Sequence, residues 1–290
     1  MMTFAFVPFL ILLVSFLSLW VARWNAYWPY LFFMSLATAL IFDVIGVSAF
    51  FAIIIFAGIC FGLKAYQCKR GVVYAVLWLL TVIASLAFAL HIVPGFSPWV
   101  FYENVQLSER SSEYIIRYGY DKAIVGFLLL AVLCDRIARS SEWKAIFVKL
   151  PLILLPAATA VLMLGVAFGY LAWDPKLSSL MLWWALGNLF ITCAAEEAFF
   201  RLLIQKPLQT CLLHVRYGLA MVLVISAVLF GLVHIGGGWV MVAGATVAGF
   251  AYALIFYKTG RVEAAIITHF ALNVCHFVFF TYPKDVAFVG

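Results

Sequence analysis

The most informative side chains are charged groups inside an apolar run. Glu196, Glu197 and Arg201 lie within the otherwise apolar segment 180–204, and ionised groups at such depth are costly enough to indicate a function. On an α-helix, Glu197 and Arg201 share one face and are expected to pair. Glu196 points about 100° away from Glu197 and has no cation near it in sequence. A desolvated carboxylate of this kind is a candidate general base, the alternative being a double-acid helix end at the cytoplasmic surface.

Two further constellations place imidazole and amide groups in apolar surroundings. His234 follows Phe230 by four residues and precedes three glycines at 236–238, so it is a candidate for holding a water or a metal ion, or else an interfacial or core histidine. His269 and Asn273 are four residues apart on one predicted helical face. They are candidate donors to an oxyanion, and the alternative is hydrogen bonding between membrane helices.

Composition determines the class of protein that must position these groups. The chain is 67% hydrophobic and 10% charged over 290 residues, far from the quarter charged that is typical of soluble domains. We therefore predict an all-α, polytopic transmembrane helical bundle with about ten membrane-spanning helices. The apolar runs near the length of a span lie at about 4–22, 28–42, 46–63, 71–91, 123–134, 150–171, 182–205, 217–235, 239–257 and 262–281.

The connections between these runs predict an orientation. Twelve of the 18 Lys and Arg fall in alternate loops that include 205–216 and 258–261, which puts those loops in the cytoplasm and both termini outside. The longest connection, near 94–120, is then an external loop, which is either an exterior cap or a solvated loop. The N-terminal apolar run has no basic flank or clear cleavage site, so it is expected to be retained as a span. Six cysteines without a CxxC pair indicate neither a disulfide framework nor a zinc site.

The three polar motifs together resemble a known family. EExxxR at 196–201, FxxxH at 230–234 and HxxxN at 269–273, in this order and within hydrophobic segments, are similar to the CPBP family of intramembrane proteases. That family includes the type II CAAX prenyl endopeptidases and the abortive-infection or bacteriocin-processing proteins. The resemblance covers about 150–281. The stretch 91–96, followed by Asp121 and Lys122, also resembles bacterial members, without a role that can be assigned to it.

The resemblance implies roles for individual residues. Glu196 would activate a water together with His234, while His269 and Asn273 would stabilise the oxyanion at the scissile carbonyl. Glu197 and Arg201 would support the structure of the site. No cofactor and no metal are expected, although carboxylates and imidazoles are also zinc ligands.

The leading hypothesis is an intramembrane glutamic-type endopeptidase, hence a hydrolase, acting on a membrane-associated protein or peptide. Its partners are that substrate and the lipid bilayer, with no nucleic acid, and its expected location is a bacterial inner membrane. Residues 1–149 would form an N-terminal accessory part with the external loop near 94–120, and residues 150–290 the catalytic core. The alternatives are a non-catalytic immunity or scaffold protein of the same fold and a proton-coupled transporter. Transport predicts internal repeats, and none is evident.

Overall fold

The computed structural model of the chain describes residues 4–21, 23–69, 71–137 and 139–288. Helices dominate it, and the predicted class of an all-α membrane bundle is confirmed. Arg70, one of the loop cations that predicted the orientation, lies outside the described residues. The α-helices are α1 (Phe6–Ser18), α2 (Trp28–Ile41), α3 (Val47–Tyr66), α4 (Val72–Ala89), α5 (Tyr120–Leu128), α6 (Ser140–Ala167), α7 (Met181–Gly187), α8 (Ala194–Glu197), α9 (Lys206–Leu212), α10 (Gly218–Leu232), α11 (Trp239–Thr259) and α12 (Val262–Phe279).

Five of these helices are long and apolar enough to cross a membrane: α3, α4, α6, α11 and α12. Two shorter apolar helices are α1 and α10. The helical run from α7 to α9 is divided by π-helical segments, so no single element of it reaches the length of a span. The number of about ten spans therefore stays a prediction, as does the orientation.

Helix α6 begins ten residues before the apolar run that predicted it. Lys144 and Lys149, which the sequence assigned to a loop, lie inside α6. The Glu142 side chain accepts a hydrogen bond from the backbone N–H of Arg139 at 3.1 Å, which satisfies a donor at the helix start. Hydropathy alone missed these ten residues because half of them, at 140–142, 144 and 149, are polar or charged. All six cysteines are free thiols.

The predicted external loop carries two short strands, β1 (Trp99–Val105) and β2 (Tyr114–Tyr118), which pair in a two-stranded sheet. Their sequences, WVFYENV and YIIRY, are rich in aromatic and β-branched residues. Such residues favour a pleated, half-buried surface over a helix or an open loop. The external position of this connection stays a prediction.

The chain divides into two compact units. Unit 1 comprises the described residues of Met1–Phe101, Arg117–Ala138 and Phe190–Phe199. Unit 2 comprises those of Tyr102–Ile116, Arg139–Leu189 and Phe200–Gly290. The functional division of the chain into 1–149 and 150–290 stays a prediction.

Helix α5 is the buried centre of unit 1. Every residue of α5 except Lys122 is buried. The Phe127 ring stacks on Phe32 of α2 with a centroid distance of 5.1 Å. At the other end of α5, the hydroxyl groups of Tyr120 and Ser35 are 2.6 Å apart, and Ser35 also donates to a backbone carbonyl of α1. These contacts fix α5 against α1 and α2.

Unit 2 is built around close packing of α10, α11 and α6. Small residues make the close approach of α10 and α11 possible. A Cβ atom added at Gly249 would lie 2.9 Å from the Cβ of Phe230. On α10, a Cβ added at Gly231 would lie 2.8 Å from the carbonyl oxygen of Val242. Neither position has room for a side chain.

Candidate active site

Glu196 and Glu197 occupy one turn of α-helix between two π-helical segments, Asn188–Cys193 and Ala198–Gln205. Both carboxylates lie in unit 1. Glu197 is fully buried and Glu196 partly so. The expected pair of Glu197 and Arg201 requires α-helical spacing throughout, but a π-helix bonds residue i to i+5 and is common at functional sites. That pairing stays a prediction.

A lysine lies beside the candidate base. The Lys122 Nζ atom on α5 is 2.7 Å from Oε1 of Glu196, and the two side chains are 23% and 17% exposed. The expectation that Glu196 has no fixed positive neighbour was therefore wrong. Sequence distance concealed the pair, since 74 residues separate its members.

The neighbouring residue of α5 is held by a side-chain hydrogen bond to a histidine. Asp121 is buried, and its Oδ2 lies 2.6 Å from Nδ1 of His91. Its Oδ1 accepts a hydrogen bond of 2.8 Å from the backbone N–H of Lys122. An acidic side chain in the first turn suits the exposed N–H groups and positive dipole end of a helix. Asp121 therefore fixes the turn that carries Lys122.

Arg201 lies in unit 2 and is completely buried. Its Nη1 donates to Gln205 Oε1 at 2.7 Å and to Ser226 Oγ of α10 at 2.9 Å. Gln205 donates in turn to the backbone carbonyl of Ala253 in α11 at 2.8 Å. This network joins the π-helical segment to α10 and α11, which agrees with a structural role for Arg201.

His234 follows the last turn of α10. Its Nδ1 is 2.8 Å from the carbonyl oxygen of Phe230. Because a carbonyl only accepts, Nδ1 carries a proton in this bond, and Nε2 is the acceptor nitrogen of the neutral ring. The chain then turns through a short 3₁₀ helix, Ile235–Gly237, to Gly238, with φ 84° and ψ 173°. Only glycine adopts this conformation readily, so the third glycine sets the direction in which α11 begins.

His269 and Asn273 share one face of α12. The His269 ring is 5% exposed, stacks on Tyr252 at 4.6 Å and meets the edge of Phe230 at 5.7 Å. The Asn273 Nδ2 donates to Oδ1 of Asn188 at 3.1 Å. His234 also contacts the Phe230 ring, at 5.0 Å. Phe230 thus brings His234 and His269 to the same place.

A cavity of about 90 Å³ in unit 2 is lined by His234, His269 and Asn273. It has room for several water molecules, since about 10–15 Å³ of such volume holds one. His276, one turn beyond Asn273, lines it too, and its Nε2 is 3.1 Å from the carbonyl oxygen of Thr281. Most of the remaining wall is apolar: Val161, Leu162, Leu164, Gly165, Leu171, Phe230, Val240, Met241, Gly244, Ala245, Ala248 and Leu272. A polar atom in this cavity could therefore form hydrogen bonds with imidazole and amide groups, in otherwise apolar surroundings.

The connection between α6 and α7 reaches this wall and is fixed by charges outside the spans. Asp174 lies 3.0 Å from the Nζ of Lys176 and accepts a hydrogen bond from Ser108. Burial opposes ionisation of Asp174, but these two hydrogen bonds and the charges of Lys176 and Arg110 outweigh it and lower the pKa of the carboxyl group. Lys176 also bonds the carbonyl of Phe280. The charge of Asp174 therefore stabilises this connection.

Among the described residues of either unit, no group of three or more His, Cys, Asp or Glu is placed to hold one ion. The donor sets that the structure does show are a carboxylate beside a lysine in unit 1 and histidines with an amide in unit 2.

Comparison with known families matches the segment that carries all three motifs. A family model described as type II CAAX prenyl endopeptidase Rce1-like matches residues 177–275. The predicted family resemblance is confirmed. At family level, the Rce1-like match supports a CAAX-type membrane protease, hence a membrane hydrolase with a membrane-associated peptide substrate. No curated protein and no solved structure gives a significant match.

Three residues of these sites escaped the sequence analysis. Asn188 is a polar residue in the same apolar run as Glu196, and that depth was a usable signal. Lys122 belongs to a stretch that resembles bacterial members of the family, but that resemblance implies no role for it. Tyr252, 1% exposed against His269, had no signal of its own, because an aromatic residue in an apolar helix is ordinary.

Proposed function

We propose that this chain is an intramembrane endopeptidase that hydrolyses a peptide bond of a membrane-associated protein or peptide, with water activated by Glu196 and His234. The observation that carries the proposal is the cavity of unit 2, where His234, His269 and Asn273 converge. Their motifs lie inside the segment that matches the Rce1-like family. Glu196 is included because of its motif and its place in the chain. It lies in sequence between Asn188, which is hydrogen-bonded to Asn273, and Phe200, whose ring packs on that of Phe230 at 4.9 Å.

In the proposed reaction the Glu196 carboxylate takes a proton from water, and the water oxygen forms a bond to the scissile carbonyl carbon. His234 holds this water through Nε2, since Nδ1 is engaged with the Phe230 carbonyl. His269 and Asn273 donate to the resulting oxyanion. Glu196 then passes its proton to the nitrogen of the leaving amine as the carbon–nitrogen bond breaks.

The proposal includes no metal cofactor and places the protein in a bacterial inner membrane. Arg201 and Glu197 act as structural support, and the buried network of Arg201 favours this role. A scaffold of the same fold would need none of the convergence of His234, His269 and Asn273 on one cavity, which is why hydrolysis is preferred.

The test is cleavage by the purified protein in detergent micelles of a quenched fluorogenic peptide that ends in a CAAX sequence, offered in prenylated and unmodified forms. Glu196→Gln keeps the shape of the side chain but cannot accept the proton, so turnover should fall by about 10²–10⁴. Asn273→Ala should lose about 10²–10³ through the missing oxyanion donor. Arg216→Lys, at an exposed position, is the control and should cleave like the wild type.

Three results would contradict the proposal or a part of it. Near-wild-type turnover by Glu196→Gln would refute the glutamic mechanism. Activity that a chelator abolishes and zinc restores would replace it with a metalloprotease mechanism. If folded wild-type protein cleaves neither peptide, and no peptide in a membrane-anchored library, the scaffold alternative takes its place.

A further inference from the structure

The stretch 91–96 and the pair Asp121–Lys122 form one structure in unit 1, although the proposed reaction gives them no role. His91 adopts a left-handed backbone conformation, with φ 58°, and Gly95 has φ 91°. The backbone N–H of Gly46 donates to the Gly95 carbonyl at 2.7 Å, and that of Ser97 donates to Val44 at 2.9 Å. The stretch 91–96, which begins with His91, is thus hydrogen-bonded to the chain at the start of α3.

His91 is placed against the first turn of α5. Its ring and the Asp121 carboxylate both lie over Gly119, the residue before α5: a Cβ atom added there would be 2.8 Å from Asp121 Oδ1 and 3.2 Å from Cε1 of His91. The absence of a side chain at Gly119 is therefore what lets imidazole and carboxylate meet at 2.6 Å. Non-glycine residues rarely take a positive φ, and when they do the strain is often functional.

Helix α5 then runs very close to the helix that carries Glu196. A Cβ atom added at Gly126 would lie 2.9 Å from the backbone nitrogen and 3.0 Å from the Cα of Ala195. The backbones of α5 and α8 are thus nearly in contact. One turn away from Gly126, the Lys122 Nζ reaches Glu196 Oε1 at 2.7 Å. Because the backbones of α5 and α8 are packed this closely, the Lys122 side chain is confined to a small region beside Glu196.

We propose that Lys122 is a positioning residue for Glu196, and that His91 and Asp121 hold the helical turn that presents it. The inference rests on the proposed function, in which Glu196 is the base. An ammonium group beside a desolvated carboxylate favours the ionised form, which is the form that can accept a proton from water. The Lys122 ammonium group also fixes one oxygen of the Glu196 carboxylate, and the position of that oxygen sets the direction of the second one.

Four charged residues lie on the two helices that form this contact. Asp121 and Lys122 are the charged residues of α5, and Glu196 and Glu197 those of α8. Asp121 is engaged with His91 and with the backbone of Lys122. Lys122 is the basic residue of the described part of these two helices, and it contacts Glu196.

A first measurement needs no activity. The infrared difference spectrum between the wild type and Glu196→Gln isolates the carboxyl band of Glu196, and its pH titration gives the midpoint of protonation. In a Lys122→Met background the same difference should titrate about 1–3 pH units higher, because a nearby opposite charge shifts a carboxyl group by that amount. Lys122→Gln is a second neutral variant with the same expectation, and Lys122→Arg should keep the wild-type midpoint.

Lys64→Met is the matched control. Lys64 pairs with Asp135 at 3.6 Å in the same unit, so this variant removes a lysine and an ion pair while leaving Glu196 untouched. Its midpoint should equal that of the wild type. An unchanged midpoint in both neutral Lys122 variants would overturn the inference.

A second measurement separates positioning from a merely structural role. With the CAAX peptide as the probe, the acid limb of the pH profile of kcat should move upward in Lys122→Met by the same amount as the infrared midpoint, with KM unchanged and Lys122→Arg restoring the profile. A kcat profile that overlays the wild type would overturn positioning. Failure of the proposed function is distinguishable: the wild type would not cleave, and the infrared midpoint would still depend on Lys122.

Discussion

Gly231 gives the most direct test of how the motif FxxxH is positioned, because its neighbours leave no room for a methyl group. An added Cβ would overlap the Oγ1 of Thr246 on α11 and lie 2.8 Å from the carbonyl oxygen of Val242. Thr246 already donates to that carbonyl at 2.8 Å. Gly231→Ala therefore forces Thr246 out of its hydrogen bond and presses α10 against a backbone atom that cannot rotate away.

The expected loss follows from three effects. Overpacking costs about 1–3 kcal/mol, and the lost Thr246 hydrogen bond costs about 1 kcal/mol. Alanine is favoured over glycine inside a helix by about 1 kcal/mol, which offsets part of this. The net loss is about 1–3 kcal/mol, and at about 2–4 °C per kcal/mol for a chain of this size the melting temperature should fall by roughly 2–12 °C.

Gly244→Ala is the matched control, on α11 in the same unit. The nearest atom to its added Cβ is Val161 Cγ1 at 3.8 Å, an ordinary contact. Only the helix preference remains, so its melting temperature should rise by roughly 2–4 °C. Thermal unfolding followed by tryptophan fluorescence in one detergent measures both. A Gly231→Ala protein as stable as Gly244→Ala would refute the close packing of α10 on α11.

Two further predictions concern charges away from the reacting atoms. Arg201→Lys should lower the folded yield and the melting temperature in detergent, since the Arg201 Nη1 donates to both Gln205 and Ser226 from a planar guanidinium group whose geometry an ammonium group does not reproduce. Full stability with lost cleavage would instead give Arg201 a catalytic role. For Asp174, the folded-state pKa is lowered, so its stabilisation is present above the ordinary value of 3.8 and is lost as the pH falls through the folded-state value. The melting temperature should therefore fall more steeply with acid in the wild type than in Asp174→Asn, and equal slopes would contradict the ion pair with Lys176.

The sequence predicts the helical class and the helices of unit 2 well, because long apolar runs and regular spacing are local properties. Helices α10, α11 and α12 begin within one residue of their predicted runs. The shared face of His269 and Asn273 followed from simple α-helical periodicity. The π-helical segments on either side of α8 have no comparable signal, since an extra residue per turn depends on packing rather than on composition.

The pair between Lys122 and Glu196 shows why a rule about local charge is insufficient. A lone carboxylate in an apolar segment is expected to take up a proton and become neutral, and a neutral carboxyl group cannot act as a general base. Glu196 therefore needs a neighbouring cation in order to act as a general base. The sequence had pointed to this role because no cation lies near Glu196 in the chain. The cation must come from elsewhere in the chain, because an arginine one turn away is engaged with buried oxygen atoms of Gln205 and Ser226. Helix α5 meets this requirement: Gly126 allows its backbone to approach Ala195, and Lys122 then reaches the carboxylate.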